Sequence, residues 1–303
     1  MKICEICGIR YPILAGPMRG VSVSPLVEAV SNAGGLGCLA TAGIKDRSYF
    51  KEQISKIRQN TNAPFAVNIA WTMPDSDKAL EWCIEEHIDI FILSAGLPED
   101  KLKRLRKSGS RIFQVIASVS QARKAETLGV DGVIAKDWES GGINASNAVA
   151  GFPLIPQVVD AVSIPVVAAG GIADGRGLAA AFALGAEGVL LGTRLLATVE
   201  CPMHVCYKEH LIAASDTDTR AHDFSRFSAR LLRSKREESL KPDDDIWNVL
   251  RPLDQKCAID DTILAAGQVA GLIKDIVPVK KVIEDMIQQY KDTISRLHGG
   301  SFC

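Results

Sequence analysis

The sequence predicts an α/β protein built as a (β/α)8 TIM barrel, and three observations carry that prediction. Short apolar runs alternate with amphipathic stretches along most of the chain. Eight such runs can be counted, and most are rich in Val, Ile, Leu or Ala without strict alternation. Strands buried on both faces have that composition. Glycine stands where the intervening helices should stop. Strand, helix, strand repeated to eight is the pattern of a closed parallel barrel. An open doubly wound sheet would more often carry Gly-x-Gly-x-x-Gly after its first strand, and none is there.

The predicted strands are Pro12–Met18, Leu36–Gly43, Phe65–Trp71, Ile88–Gly96, Arg111–Ser118, Gly132–Asp137, Pro165–Gly171 and Gly188–Leu195. The predicted helices are Pro25–Ala33, Tyr49–Arg58, Lys78–Glu86, Glu99–Lys107, Gln121–Leu128, Leu154–Val162 and Arg176–Leu184, with apolar residues at helical spacing. Gly34, Gly109, Gly129 and Gly185 follow four of them as helix stops. The pattern breaks after Leu195. Residues 199–261 are more polar, with a basic run from Arg226 to Arg236 and the acidic run Asp243-Asp244-Asp245. Periodicity returns at Thr262–Ile273, predicted as the eighth barrel helix, and Val279–Leu297 reads as a terminal helix. The barrel is therefore assigned to 1–198 and 262–303, with 199–261 a helical, lid-like insertion between strand 8 and helix 8. The simplest reading of the basic run is a solvated helical face.

Composition narrows the function classes. The 303 residues are 47% hydrophobic and 23% charged, enough for one sizeable core. Basic residues number 35 and acidic residues 36, for a formal net charge of -1. That balance gives no reason to expect nucleic acid or an anionic membrane as partner. No apolar run approaches the roughly 20 residues of a membrane span. The segment Met1–Cys7 lacks the apolar stretch of a signal peptide, so a cytoplasmic location is expected. The eight cysteines are expected to stay reduced there. Cys4 and Cys7 form the only Cys-x-x-Cys, without a second pair at matching spacing, so no metal is expected.

The strongest local signal is Ile164-Pro-Val-Val-Ala-Ala-Gly-Gly-Ile-Ala-Asp-Gly175, followed by Leu184-Gly-Ala-Glu-Gly-Val-Leu-Leu-Gly-Thr193. These are predicted strands 7 and 8, each ending in glycine. The loops after those strands are the usual phosphate site of such barrels. A phosphate needs backbone N–H groups that approach closely, hence no side chain at Gly170, Gly171 and Gly192, and Thr193 adds a hydroxyl. The alternative is that the glycines only make tight turns. At the end of strand 1, Gly16 and Pro17 would let the backbone lie flat against a planar ring, and Met18 could cover a ring face. Asn68 and Gln114 interrupt buried strands and need hydrogen-bond partners, which a ligand could supply. Lys136 ends strand 6. It reads either as a cation that stabilises negative charge on a bound ligand or as an ion-pair partner of Asp137 or Glu139.

Together these residues resemble the nitronate monooxygenase (2-nitropropane dioxygenase) family, which includes FMN-dependent enoyl-ACP reductase II enzymes and NADH:quinone reductases. The resemblance runs through Tyr11-Pro-Ile-Leu-Ala-Gly-Pro-Met18, Ala29-Val-Ser-Asn-Ala-Gly-Gly-Leu-Gly37, Pro64-Phe-Ala-Val-Asn68, Asp131-Gly-Val-Ile-Ala135 and Glu139-Ser-Gly-Gly142. It continues through Ala168-Ala-Gly-Gly-Ile-Ala-Asp-Gly175, Leu191-Gly-Thr-Arg194 and Ala266-Gly-Gln-Val-Ala-Gly-Leu272. It implies FMN as cofactor, with Gly141 and Gly142 joining the residues above at the cofactor, and it suggests a homodimer. The family pattern after Glu-x-Gly-Gly is usually a His that acts as acid or base. Here the residue is Ile143, followed by Asn144. Ile cannot move a proton. His204, just past strand 8, is the best substitute on sequence grounds. His87, His210, His222 and His298 read as surface or structural.

Three functions follow from the resemblance and its departure. Oxidation of an alkyl nitronate needs no base, so nitronates are expected as substrates and neutral nitroalkanes as poor ones. The alternative is reduction of enoyl thioesters with NADH or NADPH, with Arg226, Arg230, Arg233 and Lys235 meeting the phosphopantetheine of an acyl carrier protein. A third reading is a barrel that binds flavin or another phosphorylated ligand without catalysis.

Overall fold

The computed structural model describes residues 1–44, 46–225, 227–245 and 257–299. In chain order its strands are β1 (Ile13–Ala15), β2 (Gly37–Ala40), β3 (Phe65–Ala70), β4 (Ile90–Ser94), β5 (Arg111–Ile116), β6 (Gly132–Lys136), β7 (Gly142–Asn144), β8 (Val166–Ala169), β9 (Gly188–Leu191), β10 (Thr219–Asp223) and β11 (Ser228–Leu232). Eight of them form one sheet in the order β1-β9-β8-β6-β5-β4-β3-β2. Every pairing in it is parallel, and a bridge between Leu14 and Leu36 brings the β2 side back to β1. The sheet is therefore a closed barrel, and its strands all end on one rim. These are the eight predicted strands, trimmed where the last residues of each run become rim loops.

The seven predicted helices are also present, from Ser24–Asn32 to Gly175–Ala183. Asp46, Ser118 and Asp174 cap three of them by accepting hydrogen bonds from the first-turn amides. The four predicted helix-stop glycines all have left-handed backbone, with φ of 91° at Gly34, 76° at Gly109, 77° at Gly129 and 93° at Gly185. A short helix that the sequence reading did not propose, Lys2–Cys7, buries Ile3 and Cys7 near the start of β9.

Thr262–Ile273 is not the eighth barrel helix. It runs extended into a 3-10 turn at Gln268–Leu272. Its backbone groups are bonded elsewhere: Leu232 N–H donates to the Leu264 carbonyl, Gln268 N–H to Glu139 O, and Gly267 N–H to Thr193 Oγ1. Those bonds preclude the intrahelical ladder that the apolar spacing suggests. The helix Val279–Gly299 takes the eighth position, packing on Gly175–Ala183 and on Ser24–Asn32. Gly175 makes the close approach: a Cβ there would lie 2.4 Å from Met286 O.

The described part of 199–261 contains the helices Val205–Ile212 and Lys235–Glu238, and also the hairpin β10–β11. That hairpin is tied down. Strand β11 pairs antiparallel with β7, matching Ala229 to Ile143 and Arg230 to Gly142. Phe224, Ala229, Leu231 and Ile263 make a small separate core against which Ile143 and Phe227 pack. Among the described residues no helix is long and apolar enough to cross a membrane.

Met286 is 2% exposed beneath the terminal helix. Met286→Ala is expected to destabilise the protein by about 2–5 kcal/mol, measured by urea unfolding. A loss under about 1 kcal/mol would show that the terminal helix does not close the barrel wall.

Candidate functional site

The rim loops enclose a cavity of about 730 Å3. That lies within the roughly 300–1,000 Å3 typical of small-molecule and cofactor sites. All twelve residues that the sequence singled out for the cofactor line it, from Gly16 to Thr193. Its charged lining is Arg19, Lys124, Lys136 and Glu139, so cations outnumber carboxylates.

The turn after β1 is held rigidly. Ser22 Oγ donates to the Gly16 carbonyl at 3.0 Å and accepts from Met18 N–H at 2.9 Å. Gly16 N–H reaches Leu191 O at 2.7 Å, and a Cβ on Gly16 would lie 2.9 Å from Leu190 Cδ2. Glycine is needed there for the approach of β1 to β9. Ser22 was not among the predicted residues, because nothing in its local sequence shows that it braces a turn.

The two glycine signals have different physical causes. Gly170 has φ of +114°, and a Cβ would fall 1.7 Å from Asp137 Oδ1. The protein itself demands glycine at 170. Gly192 has φ of -110° and ψ of -77°, and a Cβ there would meet only Met18 Sδ, at 4.0 Å. Nothing among the described residues explains its missing side chain. Among the described residues none accepts a hydrogen bond from the amides of Gly170, Gly171 or Gly192. Thr193 Oγ1 accepts from Gly267 N–H at 2.9 Å, which leaves its own hydroxyl proton available.

The loop after β6 is a charged knot. Asp137 is 1% exposed, and its Oδ1 accepts from the amides of Glu139 at 2.9 Å and Ser140 at 3.0 Å. Burial, and then the Glu139 charge, hold its carboxyl well above the usual carboxylate range. Glu139 Oε1 accepts from Gly151 N–H at 3.1 Å. Arg230 lies over the Trp138 ring, 5.3 Å from its centroid, and its Nε donates to Trp138 O at 3.3 Å. Lys136 Nζ donates to the carbonyls of Gly141, at 3.4 Å, and Ile143. Among the described residues it forms neither sequence-suggested ion pair, with Asp137 or with Glu139. Burial pushes its amine down to about 8, opposed by the Asp137 charge.

Two amides present open acceptors. Gln114 Nε2 donates to Val115 O at 2.8 Å, while its buried Oε1 has no partner among the described residues. Asn144 Nδ2 donates to Ser140 O at 2.9 Å and its Oδ1 is likewise unmatched. Both residues line the cavity. Buried polar atoms left in this way point to a ligand that donates to them. Asn68 is better satisfied: its Nδ2 reaches Ile92 O at 2.8 Å and Ser94 Oγ at 3.2 Å.

His204 is not in the cavity wall. It is exposed, and its Nδ1 accepts from Cys206 N–H at 3.3 Å as the cap of Val205–Ile212. The expectation that every cysteine is a free thiol also fails. Cys206 and Cys257, 51 residues apart, are disulfide-bonded, with His204 beside them. Of the basic residues singled out in 199–261, Arg230 is turned inward, Arg233 faces Asp218 and Glu238, and Lys235 pairs with Asp260 at 2.6 Å. Arg226 lies outside the described residues.

A closed barrel with its cavity at the strand ends is an enzyme architecture, and the relatives place this chain among oxidoreductases. The profile of the nitronate monooxygenase family matches residues 1–83 and 75–289, and the chain belongs to that family. The Mycobacterium tuberculosis enzyme named (3aS,4S,5R,7aS)-5-hydroxy-7a-methyl-1-oxo-octahydro-1H-indene-4-carboxyl-CoA dehydrogenase is 30% identical over 99% of this chain and 97% of its own length. Its Rhodococcus jostii namesake is 36% identical over 72% of this chain, and the match spans 61% of that protein. Among solved structures, FabK from Thermotoga maritima superposes with a TM-score of 0.91 at 38% identity, covering 98% of both chains. Nitroalkane oxidase from Streptomyces ansochromogenes gives 0.86 at 28% identity, covering 98% of this chain and 100% of its own.

The contrast between the glycines is testable by stability alone. Gly170→Ala is expected to cost more than about 2 kcal/mol, from a forbidden φ and overlap with Asp137. Gly192→Ala is expected to stay within about 0.5 kcal/mol of the parent. Thermal unfolding of the two variants and the parent, each stripped of any bound ligand, checks this, and equal losses would contradict it.

Proposed function

We propose that this protein is an FMN-dependent oxidoreductase acting on an activated carbon compound, with alkyl nitronates as the leading substrate class. The observation that carries the reading is the cradle at Gly170, Gly171 and Gly192: unbonded amides on a net cationic cavity, beside a glycine whose open side the protein does not fill. A phosphate fits it by charge and by donor type. The same residues suit the rest of the cofactor. Gly16, Pro17 and Met18 supply a flat wall, and Gln114 Oε1 and Asn144 Oδ1 offer acceptors to ring or ribityl donors. Asn68, Gly141, Gly142 and Thr193 complete the lining. Bound there, FMN would supply two-electron redox chemistry. The residues of the chain bind and orient it, and Phe227 of the β10–β11 hairpin, together with Ile263 from the segment 262–273, covers the cavity with apolar side chains. Arg19 and Lys124 favour an anionic substrate such as a nitronate.

A second reading, reduction of an enoyl thioester with NADH or NADPH, is favoured by the near full-length match to an enzyme named as a CoA dehydrogenase and by the likeness to FabK. The thiol partner would be CoA or an acyl carrier protein. The lid cations support it less than the sequence suggested, since Arg230, Arg233 and Lys235 are already engaged.

The purified protein is expected to be yellow and to release FMN on denaturation. Gly192→Ala should weaken FMN binding at least tenfold, about 1.4 kcal/mol, without loss of fold. A colourless protein that takes up no added FMN would refute the assignment. Oxygen uptake with ethylnitronate is expected to exceed NADH oxidation with crotonyl-CoA, and the reverse order would establish the second reading.

A further inference from the structure

We propose that Lys136 is the proton-exchange group of this cavity, taking a proton from a carbon acid held beside it or returning one to the conjugate carbanion. The proposal rests on the reading of the substrate as an activated carbon compound. The titratable side chains lining the cavity are Arg19, Lys124, Lys136 and Glu139, with no His, Cys or Tyr among the described lining. A guanidinium does not release its proton in the working range. Lys124 is exposed to solvent. Glu139 is turned to the loop, accepting from Gly151 N–H and lying against Gly171. Lys136 remains.

Its geometry suits the task. An ammonium has three N–H donors. Two of those on Lys136 go to the carbonyls of Gly141 and Ile143, and no third partner is present among the described residues. The third N–H is the one free to leave, and its loss leaves a lone pair on the same axis. The two carbonyl contacts hold the amine in place in either state. Ile143, whose side chain cannot exchange protons, packs with Phe227 and Ile263 and makes this corner apolar. The charged groups around Lys136 are Asp137 and Glu139 on its own loop and Arg230 from β11. Burial brings the amine to about 8, near the range where a group both gives and takes protons well.

The step balances without a redox partner. A C–H bond breaks, its electron pair stays on carbon as a nitronate or enolate, and the proton forms the third N–H of Lys136. The reverse protonates the carbanion and leaves the neutral amine. Abstraction needs the neutral amine, so it rises as pH increases through about 8. Donation needs the ammonium and falls over the same interval. Neutral nitroalkanes then become substrates, contrary to the expectation drawn from Ile143 alone.

Two measurements test this on the protein as purified. The first is an NMR pH titration with 13Cε-labelled lysine. One resonance is expected to titrate near pH 8 and to be missing in Lys136→Arg. The second is exchange of the α-protons of nitroethane and of butyryl-CoA in D2O, which requires no electron transfer. Exchange of at least one probe is expected to rise through about pH 8 and to fall at least 100-fold in Lys136→Arg and Lys136→Met. Circular dichroism should confirm that both variants are folded. A Lys136 resonance that titrates with the surface lysines would overturn the proposal. So would wild-type exchange in folded Lys136→Arg, or no exchange of either probe by the parent. Failure of FMN to bind would refute the cofactor assignment and leave both readouts of Lys136 intact.

Discussion

The parallel pairing of β1 with β9 on one side, and of Leu14 with Leu36 on the other, closes the sheet and sets the direction of every strand end. In a parallel barrel all carboxyl ends share one rim, so polar side chains near those ends converge whatever their separation in sequence. Asn68 on β3, Gln114 on β5, Lys136 on β6 and the glycines after β8 and β9 meet in one cavity for that reason. An antiparallel arrangement would have divided them between two faces.

Much of the barrel was legible because buried parallel strands leave a plain trace. Val166–Ala169 and Gly188–Leu191 are apolar on both faces, and helix caps such as Asp174 and glycines such as Gly185 mark the limits of the helices. Thr262–Ile273 misled because helical spacing is only a pattern of side chains. Its backbone is bonded to Glu139, Thr193 and Leu232, partners that no local window reveals. The Cys206–Cys257 pairing was hidden in the same way, across 51 residues.

The candidate site shows a finer limit. Gly170 and Gly192 look alike in sequence, yet one glycine is required by Asp137 and the other by nothing among the described residues. Only the three-dimensional neighbours separate a structural glycine from one that leaves room for a ligand. Ile143 is a similar case. It reads as the loss of a base, but it also packs against the small core formed by Phe224, Ala229, Leu231 and Ile263. Lys136, read from sequence as a cation beside the cofactor or an ion-pair partner, lines the cavity, and its amine is held by the carbonyls of Gly141 and Ile143 rather than by Asp137 or Glu139.

The central claim is that the cradle at Gly170, Gly171 and Gly192 is built for the phosphate of a flavin mononucleotide. The measurement that tests it most directly compares FMN with riboflavin, which lacks the phosphate, by fluorescence titration of the flavin-free protein. The account requires FMN to bind at least about 100-fold more tightly, a difference of about 2.7 kcal/mol. Equal affinities for the two flavins would contradict it.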